Sequence, residues 1–166
     1  MLFPWQVNIS KIISGGQTGA DRGGLDAAIH CGLDYGGSIP RGRKAEDGAV
    51  PLAYDTLVEL SSTDYLARTE ANVLAADATL VLAHGPPTGG SLHTVTLAGA
   101  HGRPCLVVDL DAGRQENLAR IVHWLAGAGP GTGGILNVAG PRESQQPGIA
   151  AEVKACLVDL LPQVNG

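Results

Sequence analysis

A glycine-rich segment near the start of the chain has the residue types of a phosphate-binding turn. Residues 12–25 read IISGGQTGADRGGL, an apolar run, then glycines, then a helical pattern. Without side chains at Gly15, Gly16 and Gly19, backbone N–H groups can face an anion, and the positive end of the next helix points at the same place. The segment lacks the Lys-Ser or Lys-Thr pair of a P-loop and the spacing of G-x-G-x-x-G. It predicts a phosphate-binding turn of a different kind, the alternative being a tight strand-to-helix turn without a ligand.

Four polar side chains in this segment are placed to contact such a ligand: Gln17, Thr18, Asp21 and Arg22. Thr18 has two interpretations, as the cap of the following helix or as a contact to a phosphate oxygen. Asp21 lies at the predicted helix start, where the helix dipole stabilises a carboxylate, and is alternatively a ligand contact or a metal ligand.

Length and charge limit the possible partners. The chain has 166 residues, 44% of them hydrophobic, and a net charge of −5. We expect one domain over residues 1–166, with a core of its own. The negative charge disfavours nucleic-acid binding, and no apolar run approaches the ~18 residues of a membrane span. We therefore expect neither nucleic acid nor a membrane as partner.

Cysteine usage and the first residues indicate the compartment. Cys31, Cys105 and Cys156 are odd in number and far apart, which is typical of a reducing environment. Residues 1–5 lack the basic region and cleavage site of a secretory signal. We therefore expect a cytoplasmic protein. The sequence has no Cys or His cluster at zinc spacing, so we predict no metal site formed by the chain itself.

Apolar runs alternate with helical patterns along the whole sequence. We predict strands at 9–14, 35–39, 56–60, 78–83, 104–110 and 135–139, and helices at 22–31, 64–76, 91–101, 115–126 and 147–161. The alternation predicts an α/β fold, a three-layer Rossmann-like domain with a mostly parallel sheet flanked by helices. Leu25, Ala28 and Ile29 share one face of the first helix, and Leu66, Thr69, Val73 and Leu74 recur at helical spacing in the second. The glycine-rich residues 127–134 are expected to form a flexible loop.

Polar or glycine-rich segments follow four of these strands. Ligands of such folds bind beyond the carboxyl ends of the strands, so these segments are expected to meet in one cleft for a phosphorylated small molecule. The predicted ligand-binding residues are Gly15, Gly16, Gln17, Thr18, Gly19, Asp21, Arg22, Arg41, Arg43, Lys44, Thr88, Gly89, Gly90, Ser91, Arg142, Glu143 and Ser144.

Several of these residues also have a structural interpretation. The three cations Arg41, Arg43 and Lys44 either neutralise an anionic ligand or belong to a solvated loop. Ser91 either binds phosphate with its neighbouring glycines or caps a helix, and Arg142 and Glu143 alternatively pair with each other.

Three further residues lie where they are able to reach the cleft. Arg68 and Asn72, four residues apart on one helix face, either hold loops in place or reach the ligand. His84 follows a central strand and is the histidine best placed for a role in the cleft.

Six segments together resemble a known family. They read SGGQTGAD at 14–21, GRKAEDG at 42–48, YxxRTxxNV at 65–73, ADATL at 76–80, TGGS at 88–91 and NVAGPRES at 137–144. This combination resembles the molybdenum carrier family of SLOG-type Rossmann-like proteins, which also include LOG phosphoribohydrolases and molybdenum cofactor carriers. The resemblance spans roughly residues 10–160. It implies a nucleotide- or pterin-phosphate ligand, molybdenum cofactor as cargo, and a homo-oligomer, dimer or tetramer.

One departure from the LOG pattern bears on catalysis. LOG-type hydrolases carry Pro-Gly-Gly-x-Gly-Thr-x-x-Glu, whereas residues 87–94 read PTGGSLHT and end on Thr94 where the glutamate is expected. Cleavage of an N-glycosidic bond requires a placed carboxylate. We therefore favour a binding or carrier protein. The alternatives are a nucleotide-cleaving phosphoribohydrolase that uses Asp21 or Glu143 as acid or base, and a nucleotide sensor.

Overall fold

A five-stranded sheet lies at the centre of the computed structural model, which describes residues 7–128 and 134–166. In chain order the strands are β1 (Ile9–Ile13), β2 (Asp34–Gly36), β3 (Ser38–Ile39), β4 (Lys44–Ala45), β5 (Gly48–Ala49), β6 (Val58–Glu59), β7 (Ala78–Ala83), β8 (Cys105–Asp109) and β9 (Gly134–Ala139). The central order is β2-β1-β9-β7-β8, and every pairing in it is parallel.

Five helices flank this sheet. They are α1 (Ala20–His30), α2 (Tyr65–Ala75), α3 (Gly89–Ala100), α4 (Arg114–Ala128) and α5 (Ile149–Asn165). Helix α2 begins where the sequence indicates, because the Asp64 carboxylate accepts a hydrogen bond from Leu66 N (2.9 Å) and caps it. The predicted α/β Rossmann-like architecture with a mostly parallel sheet is confirmed.

The strand predicted at 35–39 is two strands in two different sheets. Strand β2 belongs to the central sheet, whereas β3 pairs with β6 in a separate two-stranded sheet. The division falls at Gly37, which has φ 124° and whose Cβ, if present, would lie 2.2 Å from the Ser14 carbonyl oxygen. Only glycine fits this bend, so the chain leaves the central sheet there.

The core consists of aliphatic side chains on the sheet and on α1, α4 and α5. Ile12, Leu80, Leu136, Ile121 and Leu157 are among its fully buried members. Helices α2 and α3 pack against each other and against the sheet. Strand β8 is at the sheet edge, and Val108 is its one buried residue. This is the position that the observed strand order gives it.

Three apolar side chains that share a helical stripe with buried residues are themselves exposed. Ile29, Leu66 and Leu74 are 46%, 45% and 40% exposed. Helix α2 buries Val73 together with Arg68 and Asn72, so its inward face is largely polar. Helical periodicity shows which residues share a face but not which face is buried. In α2 the neighbouring polar residues Arg68 and Asn72 face the protein interior.

Two expectations fall on parts of the chain outside this description. The glycine-rich loop expected at 127–134 lies mostly outside the described residues, as do residues 1–5 that bear on a secretory signal. Within residues 7–128 and 134–166, none of the helices combines the length and apolar character needed to cross a bilayer.

Gly19 allows a direct stability test of the close packing after β1. Its φ is 85°, and an added Cβ would lie 2.3 Å from the Pro141 carbonyl oxygen. We expect Gly19→Ala to lower the free energy of unfolding by about 2–4 kcal/mol, through backbone strain and a backbone clash. Gly99→Ala is the control, because Gly99 is helical and has open space around it. Equal stability of the two variants in urea unfolding would contradict this assignment.

Candidate functional site

A cavity of about 50 Å³ lies at the carboxyl ends of β1, β7 and β9. Open α/β sheets bind their ligands at this edge. Its lining comes from four parts of the chain: Gly15, Gln17 and Asp21 after β1; Arg68, Thr69 and Asn72 on α2; Gly90, Ser91 and Thr94 on α3; and Asn137, Val138, Ala139, Gly140, Arg142 and Gln145 on and after β9. Three of the four predicted segments therefore line one cavity.

The backbone of the first glycine turn is already hydrogen-bonded within the protein. Gln17 N donates to an Asp21 carboxylate oxygen (3.2 Å), Thr18 N to Gln17 Oε1 (3.1 Å) and Ala20 N to the Pro141 carbonyl (3.1 Å). These three amides are therefore engaged within the protein, and the role of Gly15, Gly16 and Gly19 in binding a ligand stays a prediction. The turn contributes the backbone of Gly15 and the residues Gln17 and Asp21 to the cavity lining.

Arg68 explains why residue 15 is a glycine. A Cβ at Gly15 would lie 2.5 Å from Arg68 Nη1, so the guanidinium occupies the space that a side chain would fill. Arg68 Nη1 donates to the Gly15 carbonyl and lies 3.9 Å from an Asp21 carboxylate oxygen. The cation thus joins α2 to the turn after β1 and forms part of the cavity wall.

Asp21 is a buried carboxyl group in the cavity wall, with 7% of its surface exposed. Burial raises its pKa from 3.8 to about 6, and the Arg68 guanidinium and the Gln17 N–H offset only part of that rise. A carboxyl group that titrates near neutral pH in a cleft is able to take up or release a proton there.

Gln17 presents a hydrogen-bond donor that the protein leaves unpaired. Its Oε1 accepts from Thr18 N (3.1 Å) and Glu46 N (2.9 Å), which fixes the orientation of the carboxamide. Its Nε2 is buried and has no partner among the described residues, and the residue is 6% exposed in the cavity wall. An unpaired buried donor costs about 1–3 kcal/mol, so a ligand acceptor at this position would recover that free energy.

The second glycine turn opens directly onto the cavity. Helix α3 begins at Gly89, and its N-cap, Thr88, makes no side-chain capping hydrogen bond. A Cβ at Gly90 would meet no atom within 4 Å, and Ser91 is buried in the lining. The interpretation of Ser91 as the helix cap is wrong, since it lies inside the first turn. The positive end of α3 is therefore directed at the cavity.

A bridge through Glu46 closes the loop after β9 onto the first turn. Glu46 accepts hydrogen bonds from the Thr18 hydroxyl and from Ser144 N (3.2 Å) and Oγ (2.6 Å). Thr18 Oγ1 also accepts from Glu143 N (3.1 Å). The cap interpretation of Thr18 is wrong, because α1 begins at Ala20 with Gly19 as its N-cap. Thr18, Glu46 and Ser144 position the site rather than line it.

The predicted cations divide into those used by the protein and those near the cavity. Arg22 pairs with the Asp47 carboxylate (2.6 Å), and Arg43 donates to three backbone carbonyls. Arg41 is exposed on a 3-10 turn. Lys44, by contrast, lies over the ring of Tyr65 on α2, beside the cavity, and Arg142 is in the cavity lining.

Glu143 has a structural contact for each carboxylate oxygen. One accepts from Gly148 N (2.5 Å) and the other from Ala150 N (3.1 Å), so Glu143 binds the start of α5. It is not in the cavity lining. Pairing of Arg142 with Glu143 is wrong, since the carboxylate near the Arg142 guanidinium is that of Glu46 (3.9 Å).

Arg68 and Asn72 hold neighbouring segments in place and also line the cavity. Asn72 Oδ1 accepts from Ser38 N (2.7 Å) and its Nδ2 donates to Ser38 O (3.0 Å), so it holds β3, and it also lines the cavity. Asn137 was missed by sequence reasoning, although an amide inside an apolar strand was a signal. It lines the cavity and donates to Thr79 Oγ1 (3.2 Å).

His84 lies between two carboxylates outside the cavity lining. Its Nδ1 is 2.7 Å from Asp111 and its Nε2 is 2.6 Å from Glu152. The hydrogen bond to Asp111, followed by that to Glu152, raises the pKa of His84 despite its partial burial. In the described residues, no group of three or more His, Cys, Asp or Glu side chains has a metal-binding arrangement.

The fold and this cleft define a Rossmann-like α/β protein with a small polar cavity at the carboxyl edge of its sheet. The model of the circularly permutated YpsA SLOG family matches residues 12–161. The chain therefore belongs to the circularly permutated YpsA SLOG family, which confirms the resemblance to SLOG-type proteins.

A solved structure agrees with this assignment. The chain is similar to a protein of Syntrophus aciditrophicus SB named "Putative molybdenum carrier protein", with 42% sequence identity and a TM-score of 0.87. The likeness covers 93% of this chain and 96% of that one. A comparison with curated proteins gives no significant match.

Asp21→Asn tests the buried carboxyl group. The pKa of Asp21 is higher in the folded state than in the unfolded state. Its stabilising contribution to the free energy of unfolding is therefore fully present below about pH 4 and is lost as the pH rises through about 6. We expect the asparagine variant to match the wild type near pH 4 and to exceed its free energy of unfolding by up to about 2–3 kcal/mol at pH 8.

The measurement is urea unfolding of the free protein between pH 4 and 8. Asp34→Asn, at an exposed carboxylate on β2, reports the general effect of removing one negative charge. A pH-independent difference between Asp21→Asn and the wild type would contradict the assignment.

Proposed function

We propose that this protein is a binding or carrier protein for a phosphorylated small molecule, with molybdenum cofactor as the leading cargo. The observation that carries the proposal is the unpaired, buried Nε2 of Gln17, a residue of the cavity lining. It is a donor, and the start of α3 and the Arg68 guanidinium favour negative charge at the same cavity. The three groups together support recognition of an anionic oxygen.

The family assignment supports the choice of cargo. The similar Syntrophus protein carries "molybdenum carrier" in its name, and it aligns with nearly the whole of this chain. The donors in the cavity suit the phosphate of a pterin cofactor better than a bare metal cation, because Arg68 and Arg142 offer no electron pairs to a metal and the unpaired group of Gln17 is its NH2 donor. On this proposal the cargo is held through its anionic groups.

Asp21 supports a second candidate, a nucleotide-cleaving enzyme of the phosphoribohydrolase type. It is the carboxyl group in the cavity wall, and a pKa of about 6 suits an acid or base at neutral pH. Thr94, in place of the glutamate of the LOG pattern, lines the cavity with its hydroxyl donated to the Gly90 carbonyl (3.0 Å). This is why we rank the enzyme below the carrier.

Gln17→Glu tests the proposed function. The substitution retains an oxygen for the two backbone donors and replaces the free NH2 by a negative oxygen in the cavity wall. We expect native mass spectrometry with metal analysis to show a retained phosphorylated molecule, with molybdenum, in the purified wild type. The occupied fraction should fall at least about tenfold in Gln17→Glu, since one charge-assisted hydrogen bond is worth about 1.5–3 kcal/mol.

Gln115→Glu makes the same charge change on the exposed surface of α4 and is the matched control. Equal occupancy in Gln17→Glu and Gln115→Glu would contradict the carrier site. Release of free base from a panel of nucleoside monophosphates, abolished by Asp21→Asn, would favour the enzyme instead.

The family resemblance implies an oligomer, and we propose that α2 and α3 form the interface between its subunits. Leu66 and Leu74 on α2 and Leu92 on α3 are exposed, and these two helices pack against each other. We expect light scattering after size-exclusion chromatography to show a dimer or tetramer that Leu92→Asp weakens at least about tenfold. Leu52→Asp, at another exposed leucine, is the control, and equal effects of the two changes would exclude this surface.

A further inference from the structure

Three cations from three separate segments converge on one aromatic ring beside the cavity. Lys44 Nζ lies 4.4 Å from the Tyr65 ring centroid, and the guanidinium carbons of Arg68 and Arg142 lie 5.0 Å and 6.0 Å from it. Lys44 comes from β4, Arg68 and Tyr65 from α2, and Arg142 from the loop after β9. The fold, not local sequence, therefore creates this concentration of positive charge. The electron-rich face of the ring favours cations at these distances.

The nearest carboxylates compensate these charges incompletely. Asp21 lies 3.9 Å from Arg68, and Glu46 lies 3.9 Å from Arg142, both beyond hydrogen-bond distance. The Glu46 oxygens already accept hydrogen bonds from Thr18 and Ser144. Lys44 Nζ donates to a neutral acceptor, the Thr63 carbonyl (3.4 Å). In a chain with a net charge of −5, this cluster is a local positive surface that suits an anion.

The cavity is too small for a group bound inside it to account for the positive surface around Tyr65 as well. With a volume of about 50 Å³ it accommodates one small group, next to Gln17 and the start of α3. We call Lys44, Tyr65 and Arg142 the outer cation cluster. Arg142 belongs to this cluster and also lines the cavity, and Arg68 lies both in the cavity wall and over Tyr65. The outer cation cluster is therefore adjacent to the cavity.

We propose that the outer cation cluster binds a second anionic group of the same ligand, so that the preferred ligand class carries a diphosphate rather than a single phosphate. This inference rests on the proposed function, because it assumes that the cavity takes the first phosphate. One phosphate meets Gln17 and the start of α3, and the next meets Lys44 and Arg142. Arg68 lies between them and is positioned to contact both.

The test compares inorganic phosphate with inorganic pyrophosphate by isothermal titration calorimetry, without divalent cations. We expect the wild type to bind pyrophosphate at least about tenfold more tightly than phosphate, since a second charge-assisted contact is worth about one power of ten in affinity. Lys44→Met should reduce this preference below about threefold and leave phosphate affinity unchanged. Arg142→Met is a second variant with the same expected loss of preference.

Arg41→Met is the matched control, because it removes an exposed cation three residues from Lys44 and outside the cluster. Its pyrophosphate preference should equal that of the wild type. Equal affinities for the two anions, or an unchanged preference in Lys44→Met, would overturn the inference. Phosphate binding that Gln17→Glu abolishes, without any pyrophosphate preference, would refute this inference alone, whereas binding of neither anion would refute the proposed function as well.

Discussion

The buried guanidinium of Arg68 is the constraint on which the candidate site depends. It occupies the space that a side chain at residue 15 would need, donates to the Gly15 carbonyl and lies 3.9 Å from the Asp21 carboxylate. A buried cation is stable only where polar groups compensate its lost hydration. The turn after β1 therefore takes the path that brings a carbonyl and a carboxylate to α2, and the cavity wall follows from that path. The pKa of Asp21, about 6, expresses the same balance, since burial outweighs the nearby cation.

The two glycine-rich turns contribute to the site in different ways. In the first, the absence of side chains allows close packing against Arg68 and the Pro141 backbone, and the amides of Gln17, Thr18 and Ala20 donate to protein acceptors. In the second, the absence of a side chain at Gly90 leaves open space at an uncapped helix start. The same residue type thus has a packing role on one side of the cavity and an electrostatic role on the other.

Local signals predicted the fold well, and the site only in part. The continuous apolar run of β7 and the Asp64 cap of α2 depend only on residues close together in the chain, so both can be recognised in the sequence. The Glu46 bridge joins residues 18, 46 and 144, and the three carbonyls bound by Arg43 lie on a later part of the loop. Such contacts depend on tertiary structure, which residue types and spacing do not specify. For the same reason Arg41, Arg43 and Lys44 look equivalent in sequence, although only Lys44 lies over Tyr65.

The position of Asp21 gives the proposed carrier a physical route to release. A phosphate beside Gln17 and Arg68 would share the cavity with the Asp21 carboxylate, and a second negative charge nearby raises the pKa of a carboxyl group. Binding of the anion and uptake of a proton by Asp21 would then be linked, and linkage is reciprocal. Loss of that proton as the pH rises through the Asp21 pKa would weaken binding of the anion. A group that titrates near 6 in the cavity wall therefore suits reversible holding of a cargo as well as it suits catalysis, and Thr94 in place of a catalytic glutamate leaves reversible holding as the simpler account.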